Sequence, residues 1–248
     1  MSTIYILWLR QLKRYFRSKS RIVGSLGQPL LLLVALGFGM GPIFQKAGQG
    51  DYIQFLTPGI ISMGIIFTAL FSGIEIIWDR QFGFLKETLV APTSRLEITI
   101  GRTLGGATVA SFQGVLILLL SFAIGFRPEN IVILPLALLF IFLTALLFTA
   151  LGTAIASVLE DMQGFQLIMN FLVMPLFFLS GALFPLDGLP KALSVVATIN
   201  PLSYGVDGLR DTLTGASHFG LFIDILVLSI VTAIILAIGS FLFSKIEA

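Results

Sequence analysis

The chain has 248 residues, 56% of them hydrophobic and only 11% charged, with a net charge of +2 and a mean hydropathy of +1.01. Soluble domains carry about 25% charged residues, so a soluble globular protein is excluded, a polytopic all-α membrane protein is expected, and no nucleic-acid partner is expected. With no cysteine, disulfides, thiol catalysis and cysteine-held metals are excluded as well.

The first 21 residues hold six cations (Arg10, Lys13, Arg14, Arg17, Lys19, Arg21) and no acid. On a helix, Ile4, Tyr5, Trp8, Leu12, Tyr15 and Phe16 share one face, while Arg10, Arg14, Arg17 and Arg21 share the opposite one with Lys13 at its edge. The pattern predicts an amphipathic helix over 1–21 lying in the membrane interface, cations toward headgroups and water. Two readings stand for it: a positive-inside anchor, or an anchor whose polar face also docks a cytoplasmic partner. The first apolar run follows this basic stretch without a small-residue cleavage site, so it reads as a retained span.

A helix needs about 20 mostly apolar residues to cross the hydrocarbon core. Six runs qualify, at roughly 22–42, 55–78, 98–125, 131–158, 163–183 and 220–244; the fifth is the shortest and contains Asn170 and Pro175. With six spans, eleven cations fall on the side of the termini and four (Lys46, Arg127, Lys191, Arg210) on the other. The positive-inside rule then places both termini in the cytoplasm.

The loop after span two, 79–94, faces the same way. It carries exposed apolar residues and mixed charges, with Pro92 ending a short helix and Ser94-x-x-Glu97 forming a capping box for the next one. It reads equally as an ordinary connector or as a knob for a soluble subunit, with Phe82, Phe84 and Leu85 as anchors and Arg80, Lys86 and Glu87 as rim charges. Gly37-x-x-x-Gly41 and Gly101-x-x-x-Gly105 allow close helix approach.

Between spans five and six, 184–219 faces outward and is broken by Pro185, Pro190 and Asn200-Pro201. Backbone this irregular is tolerated at membrane depth only where it is buried in protein or lines a wet cavity. Two short helices are predicted, roughly 190–199 and 202–213, dipping into the outer leaflet and returning, with Pro190 at the first position of the former.

Two ionisable residues fall within the runs, Glu75 and Asp224, each close enough to an end to reach the interface. Proton relays and inverted repeats are absent. His218 is the single histidine, so a two-histidine metal site is excluded, and there is no G-x-S-x-G elbow and no phosphate-binding G-x-x-x-x-G-K-[ST] loop. No catalytic, cofactor or metal residue is expected, and the apolar pathway candidates, in a chain with 23 phenylalanines that can equally face lipid, suit an amphipathic cargo.

Ser180-Gly181-Ala182, Phe184-Pro185, Leu189-Pro190 and Asn200-Pro201-Leu202-Ser203-Tyr204 followed by Arg210 resemble the C-terminal signature of ABC-2-type transporter permeases. Asp79-Arg80 with Gly83 and Leu85, Ala91-Pro92-Thr93-Ser94-Arg95 and Gly101-Arg102 resemble the coupling loop of the daunorubicin-resistance and nodulation-export branch. The resemblance runs over the whole chain, read as one transmembrane domain, 1–248; Gln81 departs from it, since many relatives carry glutamate there. It implies a non-catalytic half-transporter in a prokaryotic plasma membrane, paired with a second copy or a paralogue and driven by ATP and Mg on a separate ATPase. The ATPase contact implied comprises Arg80, Phe82, Gly83, Phe84, Leu85, Lys86, Glu87, Pro92 and Arg95 with Arg10, Arg14 and Arg17. Ser180, Gly181, Phe184, Pro185, Pro190, Asn200, Pro201, Tyr204 and Arg210 would form an outward gate. A drug or lipid-like substrate is expected, with a lipid-linked saccharide or polysaccharide as the alternative, and an ATP-independent channel or scaffold subunit behind both.

Overall fold

The structure is a computed structural model that describes residues 3–48, 50–84 and 93–245. These form helices α1 (Thr3–Arg17), α2 (Lys19–Lys46), α3 (Tyr52–Phe71), α4 (Ile74–Gln81) and α5 (Arg95–Ile124). A 3-10 turn, Ile131–Ile133, then leads into α6 (Leu134–Val158), followed by α7 (Met162–Phe178), α8 (Lys191–Ile199), α9 (Pro201–Thr214) and α10 (Leu221–Ser244). The described residues contain no strand.

Local chemistry sets the helix ends. The Asp51 carboxylate accepts from the Ile53 amide at 2.9 Å to open α3, and Asp161 accepts from Gly164 to open α7. Ser94 and Glu97 form the expected capping box at the start of α5, satisfying amides that the first turn leaves orphaned. Gly125 and Gly215 close α5 and α9 in the left-handed conformation, which glycine adopts at little cost.

The core lies around α3. In its most apolar stretch, continued through α4, 78% of residues are buried, against 17% for α2 and for α10. A helix apolar on all sides belongs in the middle of a bundle; α3 is that axis, and α2 and α10 are edges. Glycine permits the closest approaches. A Cβ on Gly152 of α6 would strike the Leu70 backbone, and one on Gly73 would strike the Gly152 carbonyl.

Five helical stretches among the described residues have the length and apolarity to cross a membrane, where six were expected. The run expected over 163–183 is helical only through Phe178, giving 17 residues, or about 25 Å against a core of about 30 Å. The chain turns there because Ser180 Oγ donates to the Phe177 carbonyl and Gly181 takes φ +76°. Even so, α7 begins beside the end of α4, where Trp78 Nε1 donates to Met162 Sδ. The segment after it ends beside the start of α3, where Tyr52 Oη donates to the Leu183 carbonyl at 3.1 Å.

The N-terminal helix is amphipathic as expected, and it packs along α5: Ile4 sits on Gly101 and Gln11 on Gly105, Trp8 Nε1 donates to Thr108 Oγ1, and Tyr15 Oη donates to Gln113 Oε1. The Gly101-x-x-x-Gly105 pair is therefore the seat of α1, with Ile4 Cα 3.0 Å from where a Gly101 Cβ would stand.

Candidate functional site

The inner end of the bundle is organised by two acids on one face of α4. Asp79, 4% exposed, accepts from Arg102 Nη2 at 2.6 Å and from Arg10 Nη2 at 2.9 Å. One turn away, the buried Glu75 lies 3.6 Å from Arg14 and 3.4 Å from Arg21. The 4-residue spacing of the acids and of Arg10 and Arg14 puts each set on one helix face, so α1 and α4 meet as a ladder of ion pairs. Arg14 also lies over the Trp78 ring at 5.1 Å. The arginines of α1 were expected to face headgroups and water; Arg10 and Arg14 instead turn inward to partners, while Arg17 stays exposed.

The last turn of α4 is tied to the junction of α6 and α7. Arg80 donates to the Ser157 and Leu159 carbonyls at the end of α6, and Gln81 donates to the Glu160 carbonyl at 3.3 Å. The Gln81 amide can donate there, which an ionised glutamate could not. Gly83 turns at φ +81°, and Phe82 and Phe84 are exposed; Arg95 opens α5. Leu85, Lys86, Glu87 and Pro92 lie outside the described residues. A groove of about 880 Å³ between α1 and α4 is lined by Arg10, Lys13, Arg14, Arg17, Trp78 and Phe82, among others.

The outer end is held by hydrogen bonds to backbone carbonyls. The buried Arg210 on α9 donates to the Gly181 carbonyl at 2.8 Å and the Phe55 carbonyl at 3.4 Å, its guanidinium 4.1 Å over the Phe55 ring. Burial lowers that guanidinium to about 10 while Asp207 acts the other way, so it stays cationic at neutral pH. A Cβ on Gly59 of α3 would strike the Ala182 backbone. Asn200 caps α9 by accepting from the Leu202 amide and donates to the Leu176 carbonyl at 2.7 Å. Pro201 holds the first position of α9; Pro190 caps α8, one residue before the place expected. Tyr204 Oη donates to the Thr198 carbonyl at 2.7 Å, linking α9 to α8. Asp207 accepts from the His218 and Phe219 amides, and His218 Nδ1 lies 2.9 Å from Asp187. Thus Ser180, Gly181, Asn200, Pro201, Tyr204 and Arg210 come together, whereas Phe184 points outward, 56% exposed, and Pro190 is exposed as well.

The two ends share one frame: inner contacts grip α4, α6 and the start of α7, and outer contacts grip the end of α7 and the start of α3. A family model described as ABC-2 type transporter matches residues 2–214. The chain belongs to the ABC-2 type transporter family. It is 32% identical over 213 residues to a putative transport permease ycf38 of Pyropia yezoensis, covering 84% of this chain and 72% of the relative. It is 30% identical over 213 residues to nodulation protein J of Rhizobium leguminosarum bv. trifolii, covering 85% and 78%. Against the putative transport permease ycf38 of Cyanophora paradoxa, identity is 29% over 214 residues, covering 84% and 72%. The several apolar helices and the ABC-2 family together make this a multi-pass membrane protein of the transport-permease kind.

Sequence reasoning missed the buried pair at the centre of the inner end. It counted two ionisable residues within the runs; Arg102, 4% exposed inside α5, is a third. The signal was present, because the Ser94 cap fixes where α5 begins and puts Arg102 about 12 Å into the helix. Glu75 and Asp224 were expected to reach the interface, yet both are buried, Glu75 against Arg14 and Arg21, and Asp224 with no partner for either carboxylate oxygen among the described residues.

Proposed function

We propose that this ABC-2 family member is the permease subunit of an ATP-binding-cassette exporter in a prokaryotic plasma membrane. It pairs with a second permease subunit, and ATP with Mg is used by a separate ATPase chain. Six crossings with both termini cytoplasmic are supported by α7 together with the turn that follows it: Met162 meets Trp78 near the end of α4 and Leu183 meets Tyr52 at the start of α3, so residues 162–183 run between the two ends of the α3–α4 stretch in the opposite direction. The outward turn and α9 then sit at the end of the bundle away from the cation-rich termini.

The observation that carries the coupling is the clasp of Arg80 and Gln81 on the α6–α7 junction. A push on the residues after α4 acts through this clasp on the start of α7, and α7 ends in the turn that Arg210 and Gly59 hold. Closure of the ATPase pair would thus move the outward turn without direct contact, a two-state motion of packed helices. For the cargo, an apolar cavity of about 460 Å³ between α2, α3 and α7 is lined by Leu36, Met63, Met174, Phe177 and Phe178, with Gln28 and Tyr52 as polar points. That lining favours an amphipathic drug or lipid-like substrate.

The test is ATP-driven efflux of a lipophilic fluorescent cation from vesicles holding the chain and its cognate ATPase. Phe82→Asp should lower efflux at least tenfold (about 1.4 kcal/mol) while membrane insertion and elution volume stay unchanged. Efflux at the original rate would remove the loop from the coupling path.

A further inference from the structure

We propose that the groove between α1 and α4 binds the phosphate headgroup of an anionic phospholipid, in the leaflet at the inner end of the bundle. The inference rests on the membrane-spanning reading and not on the ATPase. On the membrane-spanning reading the groove sits near the membrane boundary: Arg21, in the first turn of α2, pairs with Glu75, one turn of α4 from Asp79 in the groove, so the apolar helix α2 begins close to this level. Its lining carries four cations (Arg10, Lys13, Arg14, Arg17) and one carboxylate, Asp79, a net of +3. That carboxylate is already neutralised by Arg102 and Arg10, and Arg14 is engaged with Glu75. Lys13 and Arg17 have no ion-pair partner among the described residues. Four residues apart on α1, they stand on the same face about 6 Å from one another, a spacing that suits two contacts to one phosphate.

Much of the rest of the lining is apolar, with Ile6 53% and Phe82 70% exposed, and the Trp78 ring lies under Arg14. A ligand with one anionic end and hydrocarbon chains matches both halves, and basic pockets between helices at a membrane surface take anionic headgroups. An acidic segment of a soluble partner would satisfy Lys13 and Arg17 and leave Ile6 in water. The ion-pair ladder has a role in this scheme, since it fixes the distance between α1 and α4 and so the width of the groove.

The chain has two tryptophans, so a Trp8→Phe chain reports on Trp78 alone. Reconstituted without any ATPase, it should be quenched by brominated phosphatidylglycerol at a lower mole fraction than by brominated phosphatidylcholine. That preference should fall roughly fivefold in Lys13→Gln and again in Arg17→Gln, the worth of one basic side chain near the surface. Arg17→Lys should retain it, and native mass spectrometry of the unmodified chain should show phosphatidylglycerol carried through detergent. Equal quenching by the two lipids, or a preference that survives both substitutions, overturns the proposal. So does the combination of no lipid preference with an ATPase that no longer co-purifies with the Lys13→Gln and Arg17→Gln chains, which would assign the groove to an acidic protein segment.

Discussion

The two ends of the bundle are fastened by different chemistry. At the inner end, long side chains meet as ion pairs, and three of the four arginines, Arg10, Arg14 and Arg21, are one-third to two-fifths exposed. At the outer end, buried donors reach backbone carbonyls and glycine lets backbones touch. Exposed ion pairs are weak, screened by salt and able to re-form at a shifted distance. A hydrogen bond to a buried carbonyl is lost outright when its partner moves. The difference teaches that displacement is cheap to begin at the inner end and all-or-none at the outer one, which is the order that the proposed ATPase coupling requires.

The sharpest way to break this comparison is at the one inner contact that resembles the outer ones. Asp79 and Arg102 are both 4% exposed, so Asp79→Asn leaves a buried guanidinium without its counter-charge. Breaking one side of a buried pair costs about 3–5 kcal/mol, and unfolding in detergent should show a loss of that size. If Asp79→Asn unfolds like the original chain, the inner end is adjustable throughout and the Asp79–Arg102 pair is no fixed point.

At the outer end, Arg210→Met removes the donor to the Gly181 and Phe55 carbonyls. A hydrogen bond from a charged group is worth about 1.5–3 kcal/mol, so a loss in that range is expected, together with faster proteolysis of the 180–190 turn in vesicles. Arg210→Lys should recover little of it, because an ammonium lacks the planar guanidinium that lies over the Phe55 ring while its Nη2 reaches both carbonyls. Full recovery by lysine would mean that only charge, and not geometry, holds the turn.

Much of this architecture was legible because its signals are local. The apolar runs at 22–42, 98–125, 131–158 and 220–244 became α2, α5, α6 and α10; the capping box at Ser94 and the breaks at Pro190 and Asn200-Pro201 fell where the residues require them. What was not legible depends on which helices become neighbours. That α1 would lie along α5 over Gly101–Gln113, or that Asp79 would be shared by Arg10 and Arg102, is a property of packing, to which a periodicity reading is blind. The length of α7 sits between these cases. Hydropathy continues to Leu183, but Gly181 and the Ser180 hydroxyl end the helix sooner, a backbone effect that a window of apolar residues averages away.

The smallest expected effect is also the most discriminating, because it uses the same carboxylate as the largest. Arg10 shares Asp79 with Arg102 but is 42% exposed. Arg10→Gln should therefore cost only about 0.2–1 kcal/mol, and raising salt should erase most of that, whereas the Asp79→Asn loss should persist since a buried pair is screened far less. Arg10 also fixes α1 to α4, so the variant should loosen the N-terminal helix, seen as faster amide exchange over Thr3–Arg17, while exchange in α5 stays slow. An Arg10→Gln cost as large and as salt-insensitive as that of Asp79→Asn would mean that the inner end is a single rigid block, and the contrast with the outer end would then rest on burial alone.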